Sequence, residues 1–145
     1  MRTAQSVETR EIGADRLLMS ALYLVSGSLH FLFTPRYMAI MPPYLPMPRA
    51  LVLISGVAEI AGAVGILAPN STLRRAAAWG LVALLVAVMP ANVYMVNNHA
   101  NFPGIPLWAL WARIPLQLPL IYWAGLYTRP PALSSPASSR TKARR

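Results

Sequence analysis

Five side chains stand out because the surrounding sequence is too greasy for them: His30, Glu59, Asn92, Arg113 and Gln117. Each falls in a different kind of risk for a chain that is 56% hydrophobic and only 12% charged. Glu59 is the sharpest case, since it is the only acid beyond Asp15 and sits near the middle of an apolar stretch. An ionised group in hydrocarbon costs at least ~2.5 kcal/mol, so it needs a counter-ion, a wet cavity or a changed protonation state. Ser55, Gly56, Gly62 and Ala63 recur around Glu59 at three- and four-residue spacing and give one small, polar helix face. Small residues there let a second helix come close. Arg113 is the expected counter-ion, because the guanidinium fork matches a carboxylate. The pair reads equally as structural glue or as part of a ligand or proton site.

Other chemistry is excluded by what is missing. Without cysteine there is no disulfide, thiolate metal site or Cys-ligated iron–sulfur cluster. The histidines are His30 and His99, and His99 lies in the polar run Asn97–Asn101, so no axial haem pair is expected. A metal held by His30 and Glu59 would be repelled by Arg113, and no metal site is expected. No paired carboxylates, Ser-His-Asp set, phosphate-binding glycine loop or dinucleotide fingerprint is present, which argues against a stand-alone enzyme.

The elements that must position these groups are long apolar segments. A bilayer core of ~30 Å takes roughly 20 apolar residues per helix. Four stretches meet that length: 17–34, 50–68, 76–96 and 106–127, flanked by Asp15-Arg16, Pro35-Arg36, Pro48-Arg49, Pro69-Asn70-Ser71, Asn97-Asn98 and Arg129-Pro130-Pro131. The expected fold is an all-α integral membrane bundle of four transmembrane helices, with a polar segment 1–16 before it and a basic, disordered tail 128–145 after it. The first stretch reads as a retained anchor and not a signal peptide, because Ser26-Gly27-Ser28 runs straight on into Leu29 and Phe31-Leu32-Phe33.

Charge sets the direction. Arg2, Arg10 and Arg16, then Arg74 and Arg75, then Arg129, Arg140, Lys142, Arg144 and Arg145 share one face after four crossings. The positive-inside rule makes that face, and both termini, cytoplasmic. Trp79, Tyr94, Trp108, Trp111, Trp123 and Tyr127 fall near the predicted ends, as an interfacial belt requires. The net charge of +9 is explained by topology and anionic headgroups, and no nucleic-acid partner is expected. At ~1.5 Å per residue, all five polar residues fall in the outer half or at the midplane.

Proline shapes the rest. Pro90 and Pro115 stand beside Asn92 and between Arg113 and Gln117, where each removes a backbone donor and builds a kink or a cavity. Five prolines in Pro35–Pro48 forbid a long helix, while the run is too apolar for a free loop. It is expected to fold against the outer mouth or the interface, with one short helical turn, as a lid or as a headgroup anchor.

These segments together resemble the DoxX-like family of small bacterial membrane proteins. The resemblance is carried by Gly27-Ser28-Leu29-His30-Phe31, Met41-Pro42-Pro43-Tyr44-Leu45-Pro46, Ser55-Gly56-Val57-Ala58-Glu59-Ile60, Pro90-Ala91-Asn92-Val93-Tyr94-Met95 and Trp111-Ala112-Arg113-Ile114-Pro115-Leu116-Gln117. It implies a four-helix bundle in the bacterial inner membrane and a link to quinone redox systems. The functional expectation is an inner-membrane protein binding a quinone or other lipophilic molecule through His30, Glu59, Asn92, Arg113 and Gln117. The alternatives are an accessory subunit of a larger membrane complex, with a redox-complex partner or a second copy, and a small proton-coupled transporter.

Overall fold

Among the described helices, the one that starts at Ser71 opens on a side-chain cap, and three others open with proline in the first turn. The computed structural model describes residues 12–129, whose regular elements are all helices, joined by turns, with no strand among them. The long elements are α1 (Ala14–Leu32), α3 (Pro48–Ile66), α4 (Ser71–Ala87), α5 (Met89–Asn97) and α6 (Leu107–Leu126). A short α2 (Thr34–Ala39) follows α1, and a single 3-10 turn spans His99–Asn101. The tail beyond Arg129 and most of the N-terminal segment lie outside the described residues.

The third apolar stretch starts earlier than composition suggests. The Asn70 side chain accepts hydrogen bonds from Thr72 N (2.8 Å) and Leu73 N (3.2 Å), so α4 opens at Ser71 and takes Arg74 and Arg75 into its first turns. Such a cap supplies acceptors that the first helical amides otherwise lack. At the other end, Pro90 cannot donate, and the helix breaks at Val88 before resuming as α5. Pro115 and Pro119, by contrast, are absorbed within one continuous α6. α3 begins with Pro48 in its first turn, where a missing N–H costs nothing.

The helices run alternately up and down. α1 packs on α3, α3 on α4, and α6 on α4 and α5, while α2 folds back over α3. Two cores result. Met19 and Tyr23 of α1, Ala63 and Ile66 of α3, Ala78, Leu81 and Leu85 of α4 and Ala124 of α6 fill the end that carries both described chain ends. A smaller cluster of Met95, Val96 and Leu110, joined by Ile40, Phe102 and Ile114, closes the other end. At the first end the Tyr127 hydroxyl donates to Asp15 Oδ2, and Arg75 Nε donates to Thr128 O at 3.0 Å. These bonds tie the start of α1 and of α4 to the end of α6.

Among the described residues two elements are long and apolar enough to cross a membrane, Pro48–Ile66 and the kinked rod Ser71–Asn97. α1 and α6 have 19 and 20 residues and lie beside them. Large apolar side chains are exposed on every long helix, among them Leu18, Val25, Ile54, Val64, Trp79, Val86, Val93, Trp108, Leu118 and Tyr122.

Candidate functional site

The site is built where α1 and α3 touch backbone to backbone. A Cβ on Gly56 would lie 2.8 Å from His30 Cβ and 3.0 Å from Gly27 O, so only hydrogen fits at that crossing. The close approach sets the register that brings His30 against Glu59, with His30 Nδ1 3.9 Å from Glu59 Oε2. The face predicted around Glu59 is the inward one: Gly56, Glu59, Gly62 and Ala63 are buried and Ser55 half-buried.

His30 is held on three sides. Its Nδ1 lies 3.0 Å from the Ser26 carbonyl oxygen, which can only accept, so Nδ1 carries the proton and donates. Its ring stacks on Tyr37 of α2, with centroids 4.0 Å apart. Thr34 Oγ1 donates to the His30 carbonyl at 2.7 Å and turns the chain from α1 into α2. Glu59 itself is 9% exposed, and its Oε2 has no hydrogen-bond partner among the described residues. A buried carboxylate oxygen left without a donor is costly and asks for an explanation.

The other three polar residues form a directional chain. Arg113 Nε donates to Asn92 Oδ1 (3.3 Å), Asn92 Nδ2 donates to Gln117 Oε1 (2.8 Å), and Gln117 Nε2 donates to the Leu85 carbonyl. The backbone carbonyl at the end fixes every amide orientation, because a flip of Asn92 or Gln117 would face donor to donor. Leu85 lies in the last turn of α4, where carbonyls lose their helical partners. Gln117 therefore fastens α6 to both sides of the Val88 break, taking Leu85 from α4 and Asn92 from α5.

This arrangement corrects one expectation. Arg113 is not ion-paired with Glu59: among the described residues Glu59 meets His30, and Arg113 meets Asn92. The amide chain draws the guanidinium toward α5, while the Gly27–Gly56 crossing gives Glu59 to α1.

All five expected residues nevertheless line one cavity of about 350 Å³. Its polar wall also includes Ser26, Tyr37 and Ser55, and its apolar wall includes Val52, Leu85, Val88, Leu116 and Leu120. Tyr37, Ile40 and Met41 form one side, so the proline-rich connection covers the polar cluster. Burial raises the Tyr37 hydroxyl above its usual value, with Glu59 adding to the rise and Arg113 opposing it, which places the phenol within reach of both fields. Ser26, which lines the cavity, and Tyr23, which lies in the core, are polar groups of α1 that composition does not mark out. Their signal is spacing: Met19, Tyr23, Ser26 and His30 recur along one face of α1. His99 stays apart, exposed in the 3-10 turn, and no cluster of three metal-ligating side chains occurs among the described residues.

The chain belongs to the family described as a domain of unknown function, DUF8561, whose model matches residues 19–128. That range takes in every residue that lines the cavity. No curated protein and no solved structure matches the chain.

Proposed function

We propose that this member of the DUF8561 family is a four-span protein of the bacterial inner membrane that holds a quinone or other lipophilic small molecule in the cavity beneath α2. The observation that carries this reading is the meeting of polar side chains from α1, α3, α5 and α6 at one cavity whose remaining walls are apolar. Small-molecule sites have this composition, with a few placed polar groups among hydrophobic walls, and volumes upward of about 300 Å³.

The outward apolar surface supports the membrane setting, since contiguous exposed leucine, valine and tryptophan are penalised in water. α6 carries Arg113, Gln117 and two prolines within its length, and both polar residues line the cavity. Intramembrane polar groups that face a cavity are the kind that a spanning helix tolerates. The resemblance to DoxX-like proteins agrees with a redox-linked ligand and with service to a larger membrane enzyme.

The test is gentle purification in detergent, native mass spectrometry and solvent extraction, followed by titration with a short-tailed benzoquinone and with its quinol. The expected result is a co-purifying lipophilic molecule or saturable binding of the quinone or its quinol, that of the quinol weakened by Glu59→Gln. Absence of both, with Glu59→Gln folded and indistinguishable from the parent, overturns the reading.

A further inference from the structure

The polar groups around the cavity are not equivalent. Asn92 and Gln117 are consumed by each other, by Arg113 and by the Leu85 carbonyl, so they position and do not bind. What remains free is opposite in character at the two ends. Glu59 Oε2 is a buried acceptor with no hydrogen-bond partner among the described residues, since His30 Nδ1, 3.9 Å away, is engaged by the Ser26 carbonyl. Arg113 spends only Nε on Asn92, which leaves its terminal nitrogens, all donors, without a protein partner among the described residues. Glu59 is buried whereas Arg113 is exposed, so the acceptor lies at the closed end and the donors at the open one.

We infer that the cavity selects a one-ring amphiphile that enters hydroxyl first, placing that hydroxyl on Glu59 and a carbonyl or carboxylate oxygen on Arg113, with its tail leaving past Arg113. This rests on the ligand-binding reading above and gives it a polarity. A cavity of about 350 Å³ is at the small end for ligand sites, so one ring with its substituents is the natural filling. An oxidised dione offers acceptors at both ends and would set oxygen against Glu59 Oε2. A ring bearing a hydroxyl supplies the donor that this oxygen lacks.

Three probes separate the possibilities without altering the protein: hexyl 4-hydroxybenzoate, hexyl 4-methoxybenzoate, which lacks the donor, and 4-hexylphenol, which lacks the carbonyl. Isothermal titration of the detergent-solubilised full chain should show the hydroxybenzoate binding about tenfold or more tighter than either, as expected for hydrogen bonds to charged groups. Glu59→Gln, whose amide can donate as well as accept, should close the gap to the methoxy probe only. Arg113→Gln should close the gap to the phenol only. Equal binding of all three probes, or preference for the methoxy ester, overturns the polarity and leaves a cavity for lipophiles. Failure of all three to bind overturns this inference together with the reading on which it rests.

Discussion

Gly27 and Gly56 meet across the α1–α3 crossing so closely that a Cβ on Gly27 would fall 2.8 Å from the Gly56 carbonyl oxygen. That contact decides which side chain faces Glu59. Across it Gly27 faces Glu59, whose Cβ would lie 3.0 Å from a Cβ on Gly27, and Gly56 faces His30, whose Cβ would lie 2.8 Å from a Cβ on Gly56, so both polar side chains leave from one contact.

Gly56→Ala must therefore push α1 away, because its new methyl would meet His30 Cβ, Phe31 Cε2 at 2.9 Å and Gly27 O. The expected loss is about 1–3 kcal/mol, the usual range for overpacking. Gly80→Ala is the control: nothing outside its own stretch of helix backbone lies within 4 Å of its Cβ position in the middle of α4. It should be neutral or stabilising by up to about 1 kcal/mol, as glycine is a poor helix former. Thermal unfolding in detergent compares the two, and equal effects would contradict the crossing.

The amide chain makes a second prediction. Gln117→Leu strands Asn92 Nδ2 and the Leu85 carbonyl together, at a residue only 3% exposed. A loss of about 2 kcal/mol is expected, since each buried unsatisfied group costs roughly 1–3 kcal/mol before relaxation. Asn92→Leu on top of it should add less than it costs alone, with a coupling of about 1 kcal/mol. Strict additivity in this double-mutant cycle would show that the amides do not act as one chain.

At the opposite end of the bundle, the Tyr127 hydroxyl donates to Asp15 and holds its carboxyl below the ordinary 3.8. A group whose folded pKa is depressed stabilises the fold above its unfolded value and loses that effect as pH falls through the folded one. The stabilisation is thus present above about pH 3.8 and fades below it, and it is small because Asp15 is solvent-exposed. In Tyr127→Phe the Asp15 titration, followed by carboxyl NMR, should move up toward 3.8. An unmoved midpoint would remove the hydrogen bond from the account.

How much of this was legible in the sequence depends on the residue. Glu59, Arg113, Gln117, Asn92 and His30 could be found because polar groups are conspicuous in an apolar chain, and the structure brings all five to one cavity. Their pairing could not be found. It depends on the Gly27–Gly56 register and on the carbonyl released at the Val88 break, and neither follows from depth along a helix. The α4 boundary slipped for a similar local reason, since composition sees Arg74 and Arg75 as an edge while Asn70 caps four residues earlier. Tyr37 was hidden in a proline-rich connection whose expected roles, lid or headgroup anchor, composition alone does not separate.

Met47 offers a test with little packing to confuse it. It is 73% exposed and takes φ 51°, the left-handed region, just before Pro48 opens α3. A non-glycine residue there carries roughly 1–2 kcal/mol of strain. Met47→Gly should raise the unfolding midpoint, and Met47→Val, branched at Cβ, should lower it. The reverse order would place the turn in another conformation.

The count of crossings is decided by where α1 begins. If only Pro48–Ile66 and Ser71–Asn97 cross, the start of α1 shares a side with Tyr44 in the α2–α3 connection. If α1 and α6 cross as well, Ile12 and Tyr44 lie on opposite sides. Because the chain has no cysteine, Ile12→Cys and Tyr44→Cys each create the sole thiol in the protein. Both positions are exposed, 42% and 71%, so neither substitution disturbs a core. In intact spheroplasts a membrane-impermeant maleimide should label Tyr44→Cys at once and Ile12→Cys only after permeabilisation, as the positive-inside rule requires for a bundle with Arg74 and Arg75 facing the cytoplasm. Labelling of both before permeabilisation would reduce the protein to two spans and leave α1 and α6 outside the hydrocarbon.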